Sequence, residues 1–358
     1  MSGTTLMAGP YAHDNNSVRR TMGLVLLALT PSTAYGLYLF GWHAVFLFTT
    51  TIVSCLVFEA LCLAIARKPV WHFVSDGSVV LTGWLLAVSL PPWAPWWIGV
   101  VGGLIAVIVG KQIFGGLGQN VFNPAMVARV ALLISFPLEM TSFTAPQPVL
   151  SAVDPGIAVA LSQFLFGGGD YDAVSSASLL GYVKTEMSRG IGLDRSLVEV
   201  FNPTALSIGS TPGSLGETSA LLIFAGGMFL IYKRVISWHI PVAMLGALAA
   251  VAWVFHAIDP VHYLGADAHL LSGAALLGAF FIATDPVTSP VTAKGQLLFG
   301  AGCGLLVYII RTWGGYPEGV AFAVLLMNAV APLIDRYIRP RVYGRTKKGT
   351  PLAVEEDA

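Results

Sequence analysis

Two groups of residues in this chain have the types and spacing to do chemistry. The first is a polar stretch, DYDAVSSASLL at residues 170–180, in which the acid Asp172 precedes Ser175, Ser176, Ala177 and Ser178. Small side chains on both sides of a hydroxyl let another molecule approach it closely. Taken alone, the stretch reads as a surface Ser/Thr turn. The second group lies in apolar surroundings. GGLGQNVFNPAMVAR (115–129) carries Asn120, Asn123 and Arg129, and ATDPVTSPVTAKG (283–295) carries Asp285. Polar groups at membrane depth are costly unless they are paired or line a cavity. Asn-Pro and Asp-Pro initiate turns, and unwound backbone there would offer its amides to a ligand. Helix capping by Asn123 and Asp285 is the simpler role, and a capping residue can also touch a ligand.

Two further features invite a local reading. Glu59 interrupts the apolar run LVFEALCLAIA. An acid inside a membrane helix is a candidate for ion or proton handling, although Arg67 and Lys68, about two turns on, offer it a positive environment. GSLGETS (213–219) has the Ser214-x-x-Glu217 spacing of a capping box, which would open the helix that follows.

Composition places most of the chain in lipid. Of 358 residues, 55% are hydrophobic and 11% charged, with a mean hydropathy of +0.74. A soluble domain carries about 25% charged residues, so the chain reads as an all-α integral membrane protein with the bilayer as its solvent. Zero net charge argues against nucleic acid as a partner. Cys55, Cys62 and Cys303 lie in apolar runs without a CxxC, and no two of the seven histidines stand at i,i+4. Neither an iron–sulfur site nor a helical metal site has support. GGLGQN lies between apolar helices, the wrong context for a dinucleotide fingerprint or a P-loop. The first fifteen residues lack the features of a cleaved signal, so the first apolar run is expected to remain as a membrane helix.

The elements that must position these residues follow from hydropathy. Apolar segments near 22–40, 42–66, 78–92, 95–113, 122–137, 219–236, 239–257, 269–284, 294–312 and 318–336 predict about ten membrane helices, several of them short. The expected organisation is a cytoplasmic segment 1–21, a five-helix half at 22–137, an outer loop at 138–218, a second five-helix half at 219–336, and a basic then acidic cytoplasmic tail at 337–358. With the N-terminus inside, 14 of the 19 Lys and Arg fall on inner connections or the tail, and Arg311 alone falls in a short outer loop. That asymmetry predicts both termini in the cytoplasm and residues 138–218 in the periplasm.

The halves also resemble each other. LTGWLLAVSLPPW (81–93) matches LSGAALLGAFFIATDP (271–286), and GGLIAVIVGKQIFGGLGQN (102–120) matches GCGLLVYIIRTWGGYPEG (302–319). The expected topology makes the repeat inverted. Interrupted spans at matching positions point to a site at the repeat interface near mid-membrane.

GKQIFGGLGQNVFNPAMVARVALLISFP, GSLGETSALL, FFIATDPVTSPVTAKGQLLFG and YPEGVAFAVLLMN resemble, in order and over about residues 17–340, the family that holds the D subunit of the Rnf electron-transport complex and the B subunit of the sodium-pumping NADH:quinone reductase. A short N-terminal head favours the Rnf branch. The resemblance implies an inverted-repeat fold similar to urea transporters, and a place in a bacterial inner-membrane ferredoxin:NAD oxidoreductase that moves sodium or protons. Such a chain is catalytic only within its complex, beside partner subunits of the A, B, C, E and G types. The resemblance further implies FMN attached through its phosphate to a hydroxyl by a flavin transferase, within a motif close to Asp-x-x-[Ser/Thr]-Gly-Ala-[Thr/Ser]. Asp172, Ser175, Ser176, Ala177 and Ser178 fill that motif, with Ser178 as acceptor. Ser176 stands where glycine is usual, Ser178 where threonine is commoner, and Ser175 and Ser176 are rival acceptors. Tyr171, Tyr182 and Phe201 are near in sequence and could stack on such a ring, with core or surface packing the simpler role for each, and Lys184 could offset its charge. A second, non-covalent flavin, riboflavin, is implied in the membrane part, with Asn120 and Asn123 the first place to look. The competing expectation is a solute channel of the urea-transporter type, which would need polar rings in both halves and no flavin-bearing loop.

Overall fold

The computed structural model describes residues 17–149, 151, 156–166, 178–189, 193, 203–209 and 211–340. They form helices and no strand, and the chain is an all-α, multi-pass membrane protein. In chain order the helices are α1 (Val18–Ile65), α2 (Val70–Val74), α3 (Ser78–Ser89), α4 (Trp96–Leu104), α5 (Pro124–Ser135), α6 (Pro137–Thr141), α7 (Ile157–Phe166), α8 (Leu179–Ser188), α9 (Pro203–Ile208), α10 (Ala220–Tyr232), α11 (His239–Ile258), α12 (Ala266–Leu271), α13 (Ala275–Leu277), α14 (Ala293–Trp313) and α15 (Val320–Tyr337). Two π-helical stretches, Ile105–Gln112 and Gly278–Ile282, continue α4 and α13.

Helix occupies each of the ten apolar stretches. Four of the helices, α1, α11, α14 and α15, are long and apolar enough to cross a membrane by length and composition. The 48 residues of α1 would be about 72 Å long if straight, more than twice the hydrocarbon thickness of roughly 30 Å. The helix breaks at Gly41, whose φ of 77° and ψ of −166° are non-helical. A left-handed φ is strained for residues with a Cβ, so the glycine divides one apolar run into two segments of membrane length. In the stretch read as an outer loop, α7 is a ten-residue apolar helix, and its Phe164 packs on Phe46 of α1 with ring centroids 5.7 Å apart. It is too short to register as a span, which is why hydropathy alone passes over it.

Small residues let the helices approach, as expected where lipid supplies no hydrophobic drive between them. Gly300 and Gly304 of α14 face α11. A Cβ on Gly300 would sit 2.7 Å from the Ile240 carbonyl oxygen, and one on Gly304 would strike that of Met244. In the first half Gly99 and Gly103 of α4 meet Thr51 and Ser54 of α1 in the same way, and Ser54 Oγ donates to the Gly99 carbonyl at 3.2 Å. Gly304→Leu is therefore expected to separate α11 from α14 and cost about 1–3 kcal/mol or more of stability. A lowered thermal midpoint of the detergent-solubilised protein checks this.

Candidate functional site

The polar breaks meet at one end of the bundle. After the π-helical stretch the chain turns through Gly115, Gly116 and Gly118, all at positive φ, and α5 then starts with Asn123 as its cap and Pro124 in its first turn. Asn123 Oδ1 accepts from the Ala125 and Met126 N–H groups at 3.1 and 3.3 Å, and its Nδ2 reaches the Ile282 carbonyl at 3.5 Å. Asn120 Nδ2 donates to the Phe122 carbonyl. In the second break Asp285 accepts from the Val287 N–H and from Thr288 Oγ1. Asn328 of α15 joins the two breaks. In the amide orientation that satisfies both its ends, it accepts from the Asn123 N–H at 3.1 Å and donates to the Thr288 and Val324 carbonyls at 3.3 Å.

Asn123 thus caps α5 as expected, whereas Asp285 closes a turn and Thr292 caps α14. Both Asn123 and Asp285 line a cleft. Its space, including an open mouth, is about 790 Å³, and Asn120, Asn123, Lys111, Ser78 and Asp285 bound it together with apolar walls that include Phe280 and Phe281. Mostly apolar walls with a few converging polar groups are the usual form of a small-molecule site.

Beside this cleft the structure decides the question of Glu59. Arg67 and Lys68 are not its partners. Lys111 Nζ donates to Glu59 Oε1 at 2.8 Å and to Ser78 Oγ at 3.0 Å, and both charged side chains are 2% exposed. Counted by sequence as an inner-loop charge, Lys111 lies within the π-helical stretch of the bundle. Arg311, assigned to a short outer loop, is also buried. It donates to the His269 and Ser272 carbonyls and to both oxygens of Glu318. Withdrawing one residue from each side leaves the charge asymmetry of the loops in place.

A second, smaller cavity, about 360 Å³ when its open mouth is counted, lies at the other end of the bundle and includes Ser178, Arg129, Glu217 and Glu318 in its lining. The two ends are fixed by the helices that connect them. α5 starts at the cleft with Pro124 and sends Leu133 into the second cavity. α10 runs the opposite way, from just after Glu217 to Leu230 at the cleft. Ser178 is the N-cap of α8, its Oγ accepting from the Gly181 N–H at 3.3 Å. Asp172, Ser175, Ser176 and Ala177, with Tyr171 and Phe201, lie outside the described residues. Arg129 is 6% exposed, and its buried Nη1 has no hydrogen-bond partner.

Three local expectations change. Ser214 and Glu217 do not form a capping box. Ser214 Oγ donates to Glu217 Oε1 at 2.8 Å, and the cap of α10 is Ser219, which accepts from the Leu222 N–H. Glu217 instead turns into the cavity near the Arg129 charge. Burial and the Glu318 carboxylate push its carboxyl above the usual carboxylate range, against the pull of Arg129. Lys184 does not serve Ser178 either. Its Nζ donates to the Arg311 and Tyr316 carbonyls, which fastens α8 to the turn after α14, while Leu179, Leu180 and Val183 pack with Leu264 and Ala268. Tyr182 is not part of the cavity lining. Among the described residues, the cation that shares a cavity with Ser178 is Arg129, brought from 49 positions earlier in the chain. An arginine inside an apolar run signals a buried partner or cavity, but its sequence neighbours do not say which.

The fold and these cavities define a class, a multi-pass helical membrane protein with a polar site at each end of its bundle. Residues 5–344 match the NQR2, RnfD, RnfE family. The D subunit of the ion-translocating oxidoreductase complex from Halorhodospira halophila is 53% identical over 98% of this chain and 99% of its own length. The protein of that name from Stutzerimonas stutzeri is 52% identical over 94% and 95%, and that of Rhodobacter capsulatus 47% over 85% and 84%. The chain belongs to the NQR2, RnfD, RnfE family.

Proposed function

We propose that the chain is the D-type subunit of an ion-translocating oxidoreductase complex in a bacterial inner membrane, and that it carries electrons by way of FMN esterified to Ser178 and riboflavin held in the Asn120–Asn123 cleft. Full-length similarity to three proteins named as that subunit supports the assignment. The observation that carries the covalent site is that Ser178 and Arg129, whose buried Nη1 has no hydrogen-bond partner, line one cavity. A phosphoester at a helix N-cap gains the exposed N–H groups and the positive end of the helix dipole, and the free guanidinium nitrogen supplies a charge-assisted donor. The donor set therefore fits a phosphate. Flavins supply one- and two-electron transfer when bound, and the protein supplies position and electrostatics. Ser178 would contribute the bridging oxygen, Arg129 would hold the phosphate charge, and Lys184 would keep α8 seated on the membrane helices.

Phe280 and Phe281 on the cleft walls, with the side-chain amides of Asn120 and Asn123, support a second flavin there. Asn123→Ala is expected to remove most of the flavin released by acid precipitation while leaving covalent flavin in place; an unchanged yield would move riboflavin elsewhere. In this proposal ferredoxin and NAD chemistry lie on partner subunits of the A, B, C, E and G types, a flavin transferase installs the FMN, and sodium or protons are moved. Lys111 and Arg311, paired by the sequence repeat, are both buried and each is met by a glutamate. They lie at the two ends of the bundle, which supports the inverted repeat. Intact mass of the purified chain, read before and after acid precipitation, tests the reading. A mass raised by one FMN with riboflavin in the supernatant supports it, and a colourless, unmodified protein would favour the solute-channel alternative.

A further inference from the structure

We propose that Lys111 is a movable counter-charge shared between Glu59 and the cleft. Negative charge arriving in the cleft draws the ammonium away from Glu59, and the released carboxylate takes up a monovalent cation, either sodium or a proton. The inference rests on a flavin occupying the cleft.

Three observations converge on it. Lys111 Nζ holds only one oxygen of Glu59, and the other, Oε2, is buried without a partner. A half-satisfied buried carboxylate is costly to keep and has an oxygen open to a further ligand. The second ligand of the ammonium, Ser78 Oγ, lines the cleft, as does Lys111 itself, so the charge already stands at the wall between acid and cavity. Thirdly, Lys111 lies on a π-helical stretch, the helix type found mostly as local insertions at functional sites. This stretch is braced where Gly110 meets α5, since a Cβ there would come within 2.8 Å of Pro124 Cα. The backbone before Lys111 is thereby held against the start of α5, while the flexible side-chain stem leaves the ammonium free to lean either way.

The groups around the pair do not take over the task of Lys111. Cys55 and Cys62 on α1 stand in the field of Glu59. Asp76 is engaged by the Ser78 N–H at 2.7 Å, Lys68 reaches the Gly115 carbonyl, and Asp285 across the cleft is held by Val287 and Thr288. Lys111 is therefore the positive charge offered both to Glu59 and to the cleft. If reduction of the cleft ligand releases Glu59 to a cation, linkage requires the same cation to favour the reduced state. For one cation per two electrons, the midpoint potential rises by about 30 mV for each tenfold increase in that cation.

The test is carbodiimide labelling of Glu59 in the purified complex, located by mass spectrometry in air-oxidised and dithionite-reduced samples, with acid-released flavin counted on the same material. Labelling should be low when oxidised and rise several-fold on reduction. Added sodium chloride suppresses the rise if sodium is the cation, and leaves it if a proton is. Lys111→Met should label strongly in both states. Glu59→Gln, which keeps the side-chain volume and an acceptor for Lys111, should abolish the cation dependence of the potential at unchanged flavin content. Equal labelling of the oxidised and reduced wild type, with flavin present, overturns the inference alone. Absence of acid-released flavin removes the cleft occupant, and the proposed function fails at that point as well.

Discussion

Ser178→Ala is expected to abolish the covalent flavin completely. The band that fluoresces under ultraviolet light in a denaturing gel should vanish, and the intact mass should fall by one FMN. The effect is all-or-none because an ester needs an oxygen, and alanine has none. Ser178→Thr, which keeps a hydroxyl and can still cap α8, should retain the adduct. Loss of the cap alone costs about 0.5–2 kcal/mol, too little to unfold a helix that Lys184 fastens to the Arg311 and Tyr316 carbonyls. Ser178→Asn separates the two roles, since asparagine caps well but offers no hydroxyl. A folded, unmodified Ser178→Asn protein therefore locates the acceptor. Fluorescence that persists in Ser178→Ala and disappears in Ser175→Ala or Ser176→Ala would transfer the ester to that neighbour. Arg129→Gln should lower the fraction modified without removing the acceptor, a graded effect that distinguishes a phosphate partner from the attachment point.

Lys111→Met is expected to cost about 3–5 kcal/mol, the range for leaving one member of a buried ion pair without its partner. Glu59 and Lys111 are both 2% exposed, so solvent cannot take over from the missing ammonium. The single variant should show a sharply reduced yield and a lower thermal midpoint in detergent. The double variant Glu59→Gln with Lys111→Met removes both charges and should recover most of the loss, because a neutral pair owes no desolvation of ions. A double variant no better than Lys111→Met alone would show that the lysine stabilises by some route other than the acid.

Much of the architecture is legible because lipid imposes a simple rule. A segment that spans must be apolar and must satisfy its own backbone, so Val18–Ile65, His239–Ile258, Ala293–Trp313 and Val320–Tyr337 declare themselves by composition. Asn123 is readable as a cap because a cap is a contact between near neighbours in sequence, and it acts as one. Asp285, read the same way, instead closes a turn onto Val287 and Thr288, and Thr292 caps the helix that follows. Local patterns mislead where a distant charge competes. Ser214-x-x-Glu217 has the spacing of a capping box, yet the glutamate faces a cavity shared with Arg129 and Ser219 caps instead. Arg67 and Lys68 are the nearest charges to Glu59 in sequence, yet Lys111, 52 positions away, is the partner.

By itself, the sequence determined the membrane class, the positions of the apolar helices, the two polar breaks and the hydroxyl stretch that ends at Ser178. Each of these depends on residues within a few turns of one another. Only the tertiary structure decided which buried charges meet, namely Lys111 with Glu59, Arg311 with Glu318, and Arg129 with the cavity of Ser178. The physical reason is that a low-dielectric interior strengthens electrostatic attraction and penalises every unpaired ion. Partners are therefore chosen by proximity in the packed bundle, which one-dimensional spacing does not encode.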